Sequence, residues 1–224
     1  YQEVLKYKDS PLFQFGLYKL AWVFYNLKEW RLSIDTMKQV IEGVGMNTAE
    51  QRKIQFRNQA MNDLVLSFAE VPDGWKELRD YFERIGGGGA AGEKLARDKL
   101  RKLSQKYVAD DKNEEAITVW RHFLEKYANE TTVVAWFQAI IDAVRRLEDQ
   151  KRLERVMREA VVYFDPKGTW MVVNRNNTEL SKQALVLAED SLDFVATWYH
   201  HKAQKTEDRA LYVQAAKERL GTVN

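Results

Sequence analysis

The sequence predicts an all-α protein, a right-handed α-solenoid of antiparallel helix pairs, from three observations. Apolar residues recur at helical spacing along most of the 224 residues, whereas the period-2 alternation typical of strands is scarce. The three prolines, Pro11, Pro72 and Pro166, fall between apolar-periodic stretches, where they interrupt no helix. The helical stretches also come in pairs whose residue pattern repeats along the chain.

Ten helices are predicted, and capping residues mark several of their starts. Ser10 is a good N-cap with Pro11 at the first helical position, and Thr48 with Gln51 has capping-box spacing. The Asn176-Asn177-Thr178 run is typical of a helix-start cap. The predicted helices cover 11–27, 30–42, 48–70, 74–85, 93–109, 113–127, 131–147, 150–164, 177–204 and 207–220.

These helices divide into four segments. We expect 1–8 to be the tail of a preceding repeat helix and 9–165 to hold four helix pairs. A loop is predicted over 166–176, followed by a long C-terminal helix and a closing helix over 177–224.

The first and third helix pairs carry the clearest repeat, at an offset of 83 residues. Large apolar positions correspond to large apolar positions, and small residues to small residues. A small residue on each helix of the first pair, Ala21 and Ser33, predicts close approach of the two helices. The matching residues are Leu17 with Leu100, Ala21 with Ser104, Ser33 with Ala116 and Val40 with Phe123.

These residues resemble the tetratricopeptide repeat (TPR), whose signature spaces W-x₂-L-G-x₂-Y and then A-x₃-F. The stretches 18–30 and 100–124 match best, while two degenerate copies place Leu78 and Leu153 where the family has a small residue. Steps from Ser33 to Leu78, Ala116 and Leu153 are 45, 38 and 37 residues, against about 34 in the family. The resemblance covers about 1–165 and implies a TPR-like superhelix.

Within this superfamily, the chain is most similar to long TPR proteins of the bacterial envelope linked to gliding motility in myxobacteria and their predatory relatives. Residues 10–13 leading into 17–22, together with 203–206, carry this narrower resemblance. It implies a location in the bacterial periplasm or cell envelope, with the cytoplasm as the alternative. It also implies a non-catalytic scaffold that binds a partner protein or peptide. A structural spacer segment of a larger multi-repeat protein, with no binding of its own, is the alternative function.

In this family the first helix of each pair lines a concave groove, which assigns a set of groove positions to this chain. Three of them are aromatic and could hold an apolar side chain of a partner. The alternative is that the chain's own next helix fills the groove. The groove positions are Tyr18, Trp22, Tyr25, Asp63, Ser67, Arg101, Gln105, Gln138, Asp142 and Arg145.

The glycine-rich segment 86–92 is predicted to be a flexible linker between helices. Gly87, Gly89 and Gly92 satisfy the G-x-G-x-x-G spacing, but a dinucleotide site requires a preceding strand, and here a helical segment precedes. The Lys-Ser/Thr pair of a phosphate-binding loop is also missing after Gly92.

Composition argues against several classes of function. The net charge of +2 gives no reason to expect a nucleic acid partner, and no apolar run approaches the length of a membrane span. Without cysteine there is no disulfide, cysteine-zinc site or thiol nucleophile. Adjacent His200 and His201 point about 100° apart on a helix, which is unsuitable for one metal site. We expect no catalysis, cofactor or metal.

Basic residues form two clusters, which are interpreted as charged solvent faces because acidic residues interrupt both. A patch for an acidic partner is the alternative. The clusters are Lys94, Arg97, Lys99, Arg101, Lys102 and Lys106, and then Arg145, Arg146, Arg152, Arg155 and Arg158.

Overall fold

The structure, a computed structural model, describes Lys6, Ser10 and residues 12–45 and 50–220. The described residues are 82% helix and contain no strand, which confirms the all-α class. Eleven helices are described: α1 Phe13–Asn26, α2 Trp30–Val44, α3 Gln51–Phe68, α4 Gly74–Ile85, α5 Gly89–Ala109, α6 Asn113–Lys126, α7 Val133–Arg146, α8 Gln150–Tyr163, α9 Thr169–Asn174, α10 Thr178–Thr206 and α11 Arg209–Leu220.

The three helix starts that capping residues predicted have different outcomes in the structure. The Ser10 hydroxyl accepts a hydrogen bond from the Leu12 amide at 3.2 Å, but α1 begins only at Phe13. Helix α3 begins at Gln51, and Thr48 of the predicted capping box lies outside the described residues. The Asn177 side chain accepts a hydrogen bond from the Leu180 amide at 3.1 Å, so the predicted cap of α10 is confirmed. Most of the predicted segment 1–8 also lies outside the described residues.

The chain divides into two compact units, the first ending at Asp111 and the second beginning at Lys112. The boundary falls between α5 and α6, within the stretch 100–124 that matches the TPR signature. Each unit has its own buried core. Leu64, Phe68 and Phe82 lie in the core of unit 1, and Phe123 and Ile140 lie in the core of unit 2.

In unit 1, α2 packs between α1 and α3 through small residues. The buried Ser33 hydroxyl donates a hydrogen bond to the Ala21 carbonyl oxygen at 3.0 Å, which confirms the predicted close approach of α1 and α2. The same hydroxyl lies 2.9 Å from the hydroxyl of Ser67 on α3. These two contacts join three consecutive helices around one buried polar pair.

Helix α4 packs mainly on α5 and touches α3 much less. The prediction of a flexible linker over 86–92 is wrong for its second half, because α5 already begins at Gly89. Gly92 is buried against α4, and a Cβ there would lie 2.3 Å from the Glu83 carbonyl oxygen. The turn itself needs glycine at Gly87 and Gly88, whose φ angles are +86° and +68°.

In unit 2, α7 packs against both α6 and α8, and α8 packs on α10. A short helix, α9, lies within the segment 166–176 that was predicted to be a loop. Its buried Trp170 packs edge-on against Phe164 at 5.0 Å and donates a hydrogen bond from Nε1 to the Glu130 carbonyl oxygen at 2.9 Å. Tertiary contacts therefore hold this six-residue helix in place.

Exposed ion pairs join second helices that are one predicted repeat step apart. In each unit two arginines reach carboxylates 38 to 46 residues away, close to the steps of 37 to 45 residues found in the sequence. Within each unit, long side chains therefore bridge the second helices of successive predicted pairs. The pairs are Arg31–Glu77 and Arg84–Glu42 between α2 and α4, and Arg121–Glu159 and Arg152–Glu114 between α6 and α8.

Candidate functional site

Tyr18 connects the groove positions of α1 to those of α3. Its hydroxyl donates a hydrogen bond to Asp63 Oδ2 at 2.6 Å and accepts one from Gln59 Nε2 at 2.9 Å. The ring packs edge-on against Phe56 at 5.3 Å, and only 5% of the residue is exposed. Burial, reinforced by the Asp63 carboxylate, raises the pKa of Tyr18 above its ordinary value. Tyr18 and Asp63, predicted on separate helices, are thus in contact.

Trp22 and Tyr25 lie on the same helix as Tyr18, and both side chains are half-buried. Their rings meet edge-to-face with centroids 5.3 Å apart, and Tyr25 contacts Trp30 of α2 in the same way at 5.0 Å. Edge-to-face geometry is favourable for aromatic quadrupoles and fixes the ring orientations. Each ring therefore keeps part of its surface open to solvent in a defined orientation. We call Tyr18, Trp22, Tyr25, Gln59 and Asp63 the α1–α3 face.

Ser67 occupies a different environment from the other predicted groove residues of unit 1. It is 1% exposed, and its hydroxyl contacts Ser33 in the core between α2 and α3. Arg101 and Gln105 of α5 are both exposed. Ser67 therefore contributes to helix packing, and it has almost no surface to offer a partner.

Two lysines of α5 that are not among the predicted groove positions contact α3. Lys99 Nζ and Lys102 Nζ each donate a hydrogen bond of 2.7 Å to Oδ1 of Asn62. Lys99 is 7% exposed, so its interpretation as part of a charged solvent face is wrong. Helical spacing could have predicted the burial of Lys99, since Lys99 falls on the same side of α5 as buried Ala96 and Leu103.

The three remaining groove positions lie together on α7 in unit 2. Gln138 Nε2 donates a hydrogen bond to Asp142 Oδ1 at 3.0 Å, and Arg145 Nη1 donates one to the same oxygen at 3.3 Å. Gln138 also lines an open cleft of about 430 Å³ between α7 and α10, together with Lys182 and Asp190. The structure thus assembles two local groups of groove residues, one in each unit.

A second cleft of unit 2 has no counterpart among the predicted groove positions. It has a volume of about 890 Å³ and lies between α6, α8 and Tyr199 of α10. Arg158 in its wall forms an ion pair with Glu154 at 2.9 Å and lies 5.4 Å from the Tyr199 ring centroid. Three of the five arginines of the second basic cluster, Arg145, Arg152 and Arg158, are thus paired with acidic side chains.

The described residues include no group of three or more histidine, cysteine, aspartate or glutamate side chains placed to hold a metal ion. Across the same part of the chain, every helix is too short or too polar to cross a membrane.

The chain matches no family model, and no curated protein or solved structure is significantly similar to it. The TPR resemblance therefore depends on the signature residues and on the contacts between helices one repeat step apart.

Proposed function

We propose that the chain is a non-catalytic scaffold that binds a partner protein or peptide on the α1–α3 face. The observation that carries the proposal is the pair of half-buried aromatic residues, Trp22 and Tyr25, beside the Tyr18–Asp63 hydrogen bond. Tryptophan and tyrosine supply most of the energy in many protein interfaces, because large rigid rings lose little entropy when they bind.

The α1–α3 face is preorganised for such a partner. Two hydrogen bonds hold Tyr18, and edge-to-face contacts orient Trp22 and Tyr25, so ordering these side chains costs little on binding. Asp63 is only partly buried and can accept a further hydrogen bond. The chemistry therefore favours an apolar or aromatic anchor flanked by a basic or amide donor.

The same proposal places the helix pairs in a TPR-like solenoid. Ion pairs and hydrogen bonds between residues 37 to 46 apart support stacking of successive pairs within each unit. Stacked repeats bury a continuous core and leave one row of helices to contact a partner. Following the narrower resemblance, we place the scaffold in a bacterial envelope or motility-type assembly, with the cytoplasm as the alternative compartment.

The test compares two tryptophans of unit 1 that are both half-buried. The intact chain is immobilised and used to capture a candidate partner from bacterial envelope proteins. The affinity of the chain for that partner is then measured by calorimetry. Trp22→Ala should weaken binding by about 2 kcal/mol or more if Trp22 is an anchor. Trp75→Ala on α4 is the matched control and should leave the affinity unchanged. Equal affinities for the two variants, with both folded, would remove the α1–α3 face from consideration.

A second function, that of a structural spacer, is favoured by a different surface. Four exposed apolar residues follow one stripe along α1 and its two capping residues: Leu12, Phe15, Val23 and Leu27. A stripe of this kind suits stacking against a neighbouring repeat. The same capture experiment separates the two functions. Capture of no partner by the intact chain would favour the spacer, and loss of a captured partner only with Trp22→Ala would favour the scaffold.

A further inference from the structure

Two lysine ammonium groups converge on one neutral oxygen between α3 and α5. Lys99 and Lys102 lie one turn apart on α5, and each nitrogen is 2.7 Å from Asn62 Oδ1. The two nitrogens are therefore at most about 5.4 Å apart, close enough for strong repulsion where water is scarce. Lys99 is 7% exposed, whereas Lys102 is exposed and marks the side from which a solute can approach.

Neither ammonium group has a carboxylate partner in the part of the chain that the structure describes. Buried charges are normally paired, because leaving water is costly for a charged group. The next turn of the same helix shows the usual solution, since Lys106 pairs with the Asp110 carboxylate. Burial, together with the nearby Lys102 charge, lowers the pKa of Lys99 to about 8, so the amine is still mostly protonated at neutral pH.

Donor groups remain unused around this lysine pair. Each ammonium has three N–H donors, of which Asn62 takes one, and the Asn62 amide nitrogen supplies two more. The Lys99 ammonium also lies 5.7 Å from the centroid of the Phe82 ring, which forms an apolar wall on the α4 side. The site thus combines two positive charges with several donors, one apolar wall and one open side.

We propose that Lys99, Lys102 and Asn62 form a binding site for a phosphate-type dianion. A dianion neutralises both ammonium charges, and its several oxygens can accept hydrogen bonds from both lysines and from the amide at once. A monocarboxylate offers one charge and two oxygens, and it leaves one ammonium uncompensated. The same phosphoryl chemistry is carried by free phosphate and by a phosphate monoester. The proposal does not depend on the scaffold function.

The test is an NMR titration of the intact chain with inorganic phosphate at pH 7 and constant ionic strength. The Asn62 side-chain amide signal should shift and saturate. Lys102→Met should weaken binding at least tenfold, since it removes one of two charges at an exposed position. Lys94→Met is the matched control, because it removes an exposed lysine from the same helix and should change the affinity less than twofold.

Several outcomes would overturn the proposal. They are a shift that never saturates, equal weakening by Lys94→Met, and acetate binding as tightly as phosphate. Titration with glycerol 3-phosphate distinguishes a phosphate monoester from free phosphate as the ligand. Equal affinity for glycerol 3-phosphate and inorganic phosphate would support recognition of the phosphoryl group in either form. Binding of inorganic phosphate alone would support a site for the free ion.

A pH series with sulfate, which does not titrate in this range, adds an independent readout. The groups facing Lys99 are Lys102 and Asp98 on α5, neutral Asn62 on α3 and the Phe82 ring on α4. Sulfate affinity should fall about tenfold between pH 7 and pH 9 as Lys99 loses its proton. A pH-independent affinity would contradict a role for the Lys99 charge.

Discussion

At the scale of single residues, Lys99 is the clearest conflict between charge and burial. Its ordinary pKa of 10.5 falls to about 8 in the folded protein, a difference on the order of 3 kcal/mol against the charged form. Lys99→Met should therefore raise the free energy of unfolding at pH 7 by about 1–3 kcal/mol, because a thioether of similar length replaces an unpaired buried charge. Denaturant unfolding in buffers free of phosphate and sulfate measures the change.

The pH dependence of stability tests the same shift in the pKa of Lys99. Between pH 8 and pH 10.5 the unfolded chain keeps the Lys99 proton that the folded chain has lost, so the native protein gains stability as pH rises through this range. The Lys99→Met variant should lack that contribution, and Lys94→Met should retain it. If Lys99→Met is less stable than the native protein at pH 7, the buried ammonium contributes favourably through contacts with Asn62.

Ala116 provides a second prediction at the residue scale. It is fully buried on α6 and occupies the small-residue position of the TPR-like pattern. Ala116→Trp should lower the free energy of unfolding by several kcal/mol, because a close-packed core has no room for an indole. Glu115→Trp places the same side chain at an exposed neighbouring position and should have little effect. An unchanged melting temperature for Ala116→Trp would show that the assigned repeat register is wrong.

At the scale of elements, the turn between α4 and α5 replaces the predicted linker with a close helix contact. Gly92→Ala should cost about 2–4 kcal/mol, because its Cβ would lie 2.3 Å from the Glu83 carbonyl, a backbone atom that cannot swing away. This cost exceeds the helix propensity of about 1 kcal/mol that alanine gains over glycine. Thermal unfolding followed by circular dichroism measures the effect.

Gly89→Ala is the control for that substitution. Its Cβ would have no neighbour within 4 Å, and only the φ of +55° opposes alanine there, at a cost of about 1 kcal/mol. Equal destabilisation by the two variants would mean that backbone conformation, and not the contact with Glu83, determines the role of the glycines.

The helices were predictable from sequence because apolar periodicity and prolines act locally. Helix α9 was missed because its six residues depend on Trp170 reaching the Glu130 carbonyl, a contact across 40 residues. The close approach of Ala21 and Ser33 was predictable from their size, whereas the burial of Lys99 was hidden by its charge. Tyr18 and Asp63 were assigned to one surface from TPR positions, and the hydrogen bond between them could not be read from spacing.

At the scale of the whole molecule, the repeat pattern does not predict whether the units on either side of the α5–α6 boundary unfold together or separately. The TPR-like pattern runs through the boundary, since its third copy takes one helix from each unit. In a repeat array, stability comes from the core of each repeat and from contacts between neighbours. A chain with two compact units can therefore unfold as one body or as two.

We expect the two units to fold independently, because each buries its own aromatic and aliphatic core: Phe68 and Phe82 in the first, Phe123 and Phe164 in the second. Fragments 1–111 and 112–224, produced separately, should both be helical and unfold cooperatively. The sum of their circular dichroism spectra should equal that of the intact chain, because helix content depends on contacts within each unit. If either fragment is unfolded while the intact chain is stable, the two units do not fold independently. The third TPR-like pair would then be the continuous structural unit that its sequence pattern predicts.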